Sequence, residues 1–482
     1  MKKIKIHKSL IALFLRIIGN LGGLLNTLII IKYLTPSNYG LFRILNSSIL
    51  IIFEITNAGI LQTLIRTLID GYKEKNKSYF TYYLKSVRKI IIIQNIFAFC
   101  ILFLYTYFKL PVKNLFWLFF LYIILNGCLY FGGQYFISLV YSTEKIIKWF
   151  AFFTLLNSGK FLFSIIFVVI LRYKLYGAML SQFLSIFIAF LYSLLMWYEV
   201  KKKEISLFPS KFSKKFSMKF HLSYGVIHFI NVEINSFLGE FTILFLNFIS
   251  LPLKVIGAAG VAFSLQYMTI NILSVFANYL FPKLSILASE NNMEKLKQKL
   301  EIQSEISIIL SWITILSFYL LGKILFLKIF PKYFLSYTLF LILGYGLVLK
   351  PIEFKFVNYT LSMKKNKYLL IKSFFQFFVI FMGFIILHIL KIKNVNLYLY
   401  IYAIGDVIGI LILGVFLNFK EHLDLFYPIY CSYPFFNLIL YLTSNSQFWL
   451  KIIICIGIGI SILLMNRKIL LKNYEIFHFL RK

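Results

Sequence analysis

The sequence predicts an all-α, polytopic membrane protein with about fourteen transmembrane helices. Three observations predict it. The 482 residues are 60% apolar and only 14% charged, against about 45–50% and about 25% in soluble domains. The apolar residues gather in runs of about 20, the length that crosses a hydrocarbon core of about 30 Å. The basic residues lie between the runs, so the net charge of +34 belongs to membrane-flanking loops rather than to a nucleic-acid surface. A soluble nucleic-acid binder, a disordered tail protein and a secreted disulfide scaffold are excluded.

Taken in order, the runs cover residues 10–33, 41–69, 87–109, 115–140, 150–171, 176–198, 222–249, 257–281, 305–329, 335–362, 369–390, 396–418, 428–444 and 449–466, here spans 1 to 14. Span 1 follows a basic start, Met1 to Lys8, but continues past 20 residues without a small-residue cleavage site. It therefore reads as a retained helix rather than a signal peptide. Span 13 is the weakest, being short and opening at Pro428. Lys and Arg favour the tails and even-numbered connections over the odd ones by about three to one, which places both termini in the cytoplasm of a plasma-membrane protein. The longest inside connection, 199–221, carries seven lysines and separates two sets of six spans. The expected organisation is an N-terminal lobe at 1–198, a basic linker at 199–221 able to meet membrane lipids, a C-terminal lobe at 222–418, and spans 13–14 with a tail at 419–482.

Eight ionisable residues fall well inside the spans: Arg16, Glu54, Lys160, Glu233, Glu240, Lys350, Glu353 and Asp406. Facing lipid they would cost roughly 20–28 kcal/mol together, so they must face the protein interior or water. Lys350 and Glu353, three apart beside Pro351, read as an ion pair. Polar residues also repeat at helical spacing. Span 1 carries Arg16, Asn20, Gly23 and Thr27. Span 2 carries Arg43 and Glu54, flanked by Asn46, Ser47 and Asn57. Span 7 carries Glu233, Ser236 and Glu240, and span 8 carries Ser264, Tyr267, Asn271, Ser274 and Asn278. Such stripes are either helix–helix contacts or cavity walls. Cys100, Cys128, Cys431 and Cys455 lack paired spacing and read as small buried hydrophobes. The six histidines show no metal-ligand spacing, and there is no P-loop or G-x-S-x-G elbow, so neither an enzyme, a cofactor nor a bound metal is expected.

Span 1 ends in IIIKYLTPSNYGLF, residues 29–42, and span 7 ends in LFLNFISLPLKVIG, residues 244–257. Each is an apolar run, a proline-containing turn and a glycine opening the next helix, which suggests a parallel repeat about an axis along the membrane normal. The first stretch resembles the span 1–2 signature of the polysaccharide transporters, the Wzx-type flippases of the multidrug/oligosaccharidyl-lipid/polysaccharide (MOP) exporter superfamily. Leu280-Phe281-Pro282-Lys283-Leu284-Ser285, followed by Glu294-Lys295-Leu296-Lys297, resembles the passage from span 8 to span 9 in that family. Where the family often has an acid late in span 7, this chain has Asn247.

The resemblance implies two six-helix lobes plus two C-terminal helices, with spans 1, 2, 7 and 8 lining a central cavity. It implies export of a polyprenyl-diphosphate-linked oligosaccharide, an O-antigen or other surface-polysaccharide unit, from the cytoplasmic to the outer leaflet by alternating access. The expected substrate-binding residues are Arg16, Asn20, Arg43, Glu54, Lys160, Glu233, Glu240 and Asn271. Glu54, Glu240 and Asp406 are candidates for coupling to H⁺ or Na⁺. Polysaccharide polymerase machinery is an expected neighbour, and nucleic acid is not a partner. A cation-coupled multidrug antiporter and a membrane polysaccharide polymerase or ligase are the alternatives.

Overall fold

The computed structural model describes residues 2–57, 115–143, 145–203, 234–290, 292–363, 365–421 and 432–465, with a few positions near 68, 205 and 96–108. Among the described residues the regular structure is helical. Nine helices among the described residues are long and apolar enough to cross a membrane, and shorter apolar helices accompany them. Large apolar side chains stand exposed on most of them, for example Leu195, Leu321 and Phe374 at 57–62%. In water such a surface would aggregate; in hydrocarbon it is ordinary. Span 3 lies largely outside the described residues.

The chain packs as two compact units, Met1–Gly257 and Ala258–Lys482. The expected lobes are units of repeat, whereas these are units of packing. The first unit holds α1 (Lys2–Tyr33), α2 (Pro36–Asn57), α3 (Phe116–Tyr141), α4 (Ile146–Ser164, continuing as a π-helical turn over Ile165–Ile170), α5 (Lys174–Lys203) and α6 (Ile234–Phe248). The first turn of α7 (Leu253–Ser289) also belongs to it.

Two turns shape this unit. Thr35 ends the α1 passage and caps α2, its hydroxyl accepting from the Asn38 N–H at 3.3 Å, with Pro36 as the first helical residue. Ser250, at φ 59°, ends α6. The Ser250 N–H donates to the Asn247 carbonyl at 2.9 Å and the Leu251 N–H to the Leu246 carbonyl at 3.1 Å, which is the Schellman arrangement with serine in the usual glycine place. The two turns paired as repeats in the sequence meet each other. A Cβ on Gly40 would overlap the Leu253 carbonyl, and one on Gly257 would overlap the Pro36 carbonyl. Each glycine thus faces the carbonyl four residues before the other, the self-complementary pattern of a two-fold contact.

Helices α1 and α4 run parallel in close register. Gly19 faces the Thr154 backbone, Gly22 faces Ser158, and a Cβ on Gly23 would meet the Asn157 side chain at 3.7 Å. The Thr154 hydroxyl donates to the Leu15 carbonyl at 2.7 Å, and the Ser164 hydroxyl to Asn26 Oδ1 at 2.6 Å. Small residues let the backbones approach, and polar groups then bond across the seam. Behind α4 an apolar core joins α3, α4 and α5, with Ile137, Val140, Phe152, Leu156 and Ile186 at its centre.

The second unit continues α7 and adds α8 (Met293–Lys328), α9 (Phe334–Leu347), α10 (Lys350–Ser362), α11 (Leu369–Ile389), α12 (Val395–Glu421), α13 (Ser432–Leu442) and α14 (Phe448–Met465). Span 10, expected as one helix, is broken at Val348–Leu349 into α9 and α10. Pro351 has no N–H to continue the ladder, and α10 restarts with the Ile352 and Glu353 N–H groups donating to the Leu349 carbonyl at 3.0 Å. These two helices are the buried centre of the unit. Among the cysteines, Cys455 is buried as expected, but Cys100 and Cys128 are exposed, and Cys431 lies outside the described residues. The correction has a simple cause. In a membrane protein the lipid-facing surface is as apolar as the interior, so an apolar neighbourhood does not imply burial.

Candidate functional site

The sequence-predicted charges of the first unit resolve into two groups. Arg43 stands one turn beyond Gly40 on α2, and Glu240 lies on the facing side of α6. The Arg43 guanidinium donates through Nη2 to both Glu240 carboxylate oxygens at 3.0 Å, and the Ser47 hydroxyl donates to Oε2 at 2.5 Å. Glu240 is 4% exposed, whereas the Arg43 side chain keeps 13%. The carboxylate is therefore enclosed by donors from α2, while the guanidinium retains a path to the surface. In a low-dielectric setting such a pair is neutral as a whole, and it is costly to break by removing one member. Ser47 was read from the sequence only as a flank of the polar face. Its alignment with Glu240 is a tertiary fact, since the two are 193 residues apart.

The second group lies along α1 and α4. Arg16, Asn20 and Lys160 are half-buried. Lys160 lies between Ser158 and Ser164, whose partners on α1 are Gly22 and Asn26, so it is level with that stretch and about two turns along from Arg16. The expected polar stripe of α1 is thus divided. Gly23 packs against α4, and the Thr27 hydroxyl donates back to the Gly23 carbonyl at 3.0 Å. The side chain of Glu54 and the whole of Glu233 lie outside the described residues.

In the second unit Asn271 is exposed on α7. Asp406, on α12, is fully buried and accepts from Lys350 Nζ at 2.8 Å and from Gln376 Nε2 at 3.1 Å. Lys350 also donates to Glu353 at 2.7 Å, the pair expected from their spacing. Lys372 donates to the other Glu353 oxygen. Sequence reasoning missed Lys372 and Gln376: Lys372 falls three residues into span 11, where a lysine ordinarily reaches the interface. It also missed Lys451, buried on α14, which donates to the Tyr337 hydroxyl at 3.1 Å and lies 4.9 Å from the Tyr319 ring centre. Among the described residues no cluster of His, Cys, Asp and Glu could hold a metal ion.

No family model and no curated protein sequence matches the chain. Solved structures do. The chain is similar to a lipid II flippase, MurJ, in an inward closed conformation, with a TM-score of 0.65 and 15% identity over 96% of this chain and all of that one. It is also similar to a multidrug-resistance MATE family transporter of the MOP superfamily in its inward-facing conformation, with a TM-score of 0.62 and 13% identity over 86% of this chain and 98% of that one. An outward-facing MATE structure matches at 0.59, again with 13% identity, over 86% and 95%. The fold is that of the MOP exporters.

Proposed function

We propose that the chain is a flippase that carries a lipid-linked, anionic head group across the membrane by alternating access, and that this head group is a polyprenyl-diphosphate oligosaccharide used for a surface polysaccharide. The observation that carries the reading is the extent of the match. The lipid II flippase is similar over 96% of this chain at a TM-score of 0.65, whereas the MATE transporters are similar over 86–92% of it at TM-scores of 0.52–0.62. A fold that handles a polar head attached to a lipid tail suits a substrate whose tail stays in the bilayer while its head crosses.

The chemistry of the first unit supports it. Arg16 and Lys160, half-buried on neighbouring parallel helices, offer charge-assisted hydrogen bonds in place of part of the diphosphate's hydration. Arg43 is paired with Glu240 but keeps partial exposure, so an incoming phosphate can compete with the carboxylate for the guanidinium. Asn20 and, in the second unit, Asn271 are suited to sugar hydroxyls. The working environment is the plasma membrane, and the reaction needs no covalent chemistry of the chain's own.

The test is a leaflet assay. In cells lacking the protein, the lipid-linked glycan should accumulate on the cytoplasmic leaflet, inaccessible to an external glycan-cleaving enzyme. Arg16→Ala should reproduce that accumulation while the protein remains inserted. Normal surface glycan in the Arg16→Ala cells would remove Arg16 from the mechanism, and unpolymerised glycan outside the cell would point to polymerase action instead. The near-equal TM-score of the inward-facing MATE transporter favours a second reading, a cation-coupled drug antiporter. Drug resistance conferred by the chain, with glycan export unchanged on its deletion, would select that reading.

A further inference from the structure

The buried network of the second unit is built like a cation cage with the cation attached. Lys350, Glu353, Lys372, Gln376 and Asp406 are between 0% and 4% exposed. They come from three helices, α10, α11 and α12, and comprise two ammonium groups and two carboxylates. Lys350 Nζ lies 2.7 Å from Glu353 Oε2 and 2.8 Å from Asp406 Oδ1. It therefore bridges two carboxylates from different helices, at the point where a free monovalent cation would have to sit. Gln376 completes the wall with its donor to Asp406.

The backbone is shaped around this point. The break at Val348–Leu349 restarts the helix at Lys350, so Lys350 opens α10 and Glu353 stands in its first turn, where the helix dipole favours a carboxylate. Asp406 lies over Gly346, where a Cβ would come within 2.5 Å of Oδ2. Among the described residues no hydrogen-bond donor reaches Oδ2. The cage is thus short of one donor on the Asp406 side, and the ammonium is what balances the second carboxylate.

We propose that Lys350 is a tethered cation: its ammonium fills, in cis, a two-carboxylate cage that without it takes a small monovalent cation, an alkylammonium ion above all. The second unit then supplies its own counter-ion, and Asp406 and Glu353 are walls of an occupied cage. A soluble coupling ion is not required there. The inference does not rest on the transport reading, because its test needs no substrate.

The experiment is a melting series on the purified full-length protein in detergent. Wild type should melt at the same temperature in sodium, potassium, choline or ethylammonium chloride. Lys350→Ala, which empties the cage and leaves one carboxylate unbalanced, should melt several degrees lower. Ethylammonium chloride should restore most of that loss in a saturable manner, as expected for a ligand of the folded state. Lys350→Met fills the same space without charge and should not be restored. Where Lys350→Ala yields no folded protein, the charge-balanced double variant Lys350→Met/Asp406→Asn decides. It should recover the membrane yield and melting temperature lost by Asp406→Asn alone. Failure of ethylammonium to raise the melting temperature of folded Lys350→Ala overturns the proposal. So does a double variant that melts as low as Asp406→Asn alone, or sodium stabilisation of wild type that Asp406→Asn abolishes.

Discussion

Individual charges in this chain were conspicuous because hydrocarbon does not tolerate them. Their partners were not. Arg43 and Glu240 each stood out in the sequence, one expected to hold phosphate and the other an ion. The structure joins them, with Ser47 as a further donor. At this scale the prediction is a double-mutant cycle. Arg43→Met, which leaves the Glu240 carboxylate enclosed beside no guanidinium, should lower stability by about 3–5 kcal/mol, and Glu240→Gln by less, because Arg43 keeps a path to the surface. The combined Arg43→Met/Glu240→Gln protein should recover most of the loss. Thermal melting of the purified variants measures this, and losses that simply add would show that the two side chains do not interact. Lys350 and Glu353 were legible because i,i+3 spacing on one helix is local information. Lys372, Gln376 and Asp406 joined them only through the packing of α10, α11 and α12.

Among the helices, glycine records where backbones touch. The proline turns before α2 and α7 were visible as a repeated motif, although these helices begin at Pro36 and Leu253, one turn before the glycines expected to open them. That the two glycines face each other's turn was not visible. Gly40→Ala and Gly257→Ala should each be destabilising by about 1–3 kcal/mol or more, since the overlapping atoms are backbone carbonyls that cannot rotate away. Gly22→Ala, against the Ser158 backbone at 2.8 Å, should behave alike. Gly457→Ala on α14, where a Cβ meets nothing within 4 Å, should be neutral or stabilising by up to about 1 kcal/mol through helix propensity. Melting temperatures in matched detergent read the contrast, and equal effects at Gly40 and Gly457 would contradict the close approach. The polar face of α1 is the element where sequence reasoning ran together two roles. A stripe of Asn, Gly and Thr at helical spacing serves a cavity or a helix seam equally well, and α4 takes the Gly23 part of it.

For the molecule as a whole, the proposed export of an anionic head group would draw on the membrane potential. With the cell interior negative, moving one net negative charge outward releases about 2.3 kcal/mol per 100 mV. In vesicles with an imposed potassium diffusion potential, the equilibrium distribution of a flipped anionic lipid should shift about fiftyfold per 100 mV for each net charge moved. An unchanged distribution would mean that a compensating cation moves as well. Exposed leucines and phenylalanines over most helices and the match along 96% of the chain to a lipid flippase are properties at this scale alone.

Composition, run length and the placement of lysines were enough to determine an all-helical membrane protein of about fourteen spans, because the bilayer imposes a length and a polarity that each segment must meet by itself. The unusual positions of Arg16, Glu240, Lys350 and Asp406 were determined in the same way, residue by residue, by the cost of charge in hydrocarbon. Which charges distant in sequence pair, which small residues form seams, and which apolar residues face lipid were decided only by tertiary structure. The reason is that hydrocarbon and protein interior are equally apolar solvents, so hydropathy separates neither partner from neighbour nor inside from outside.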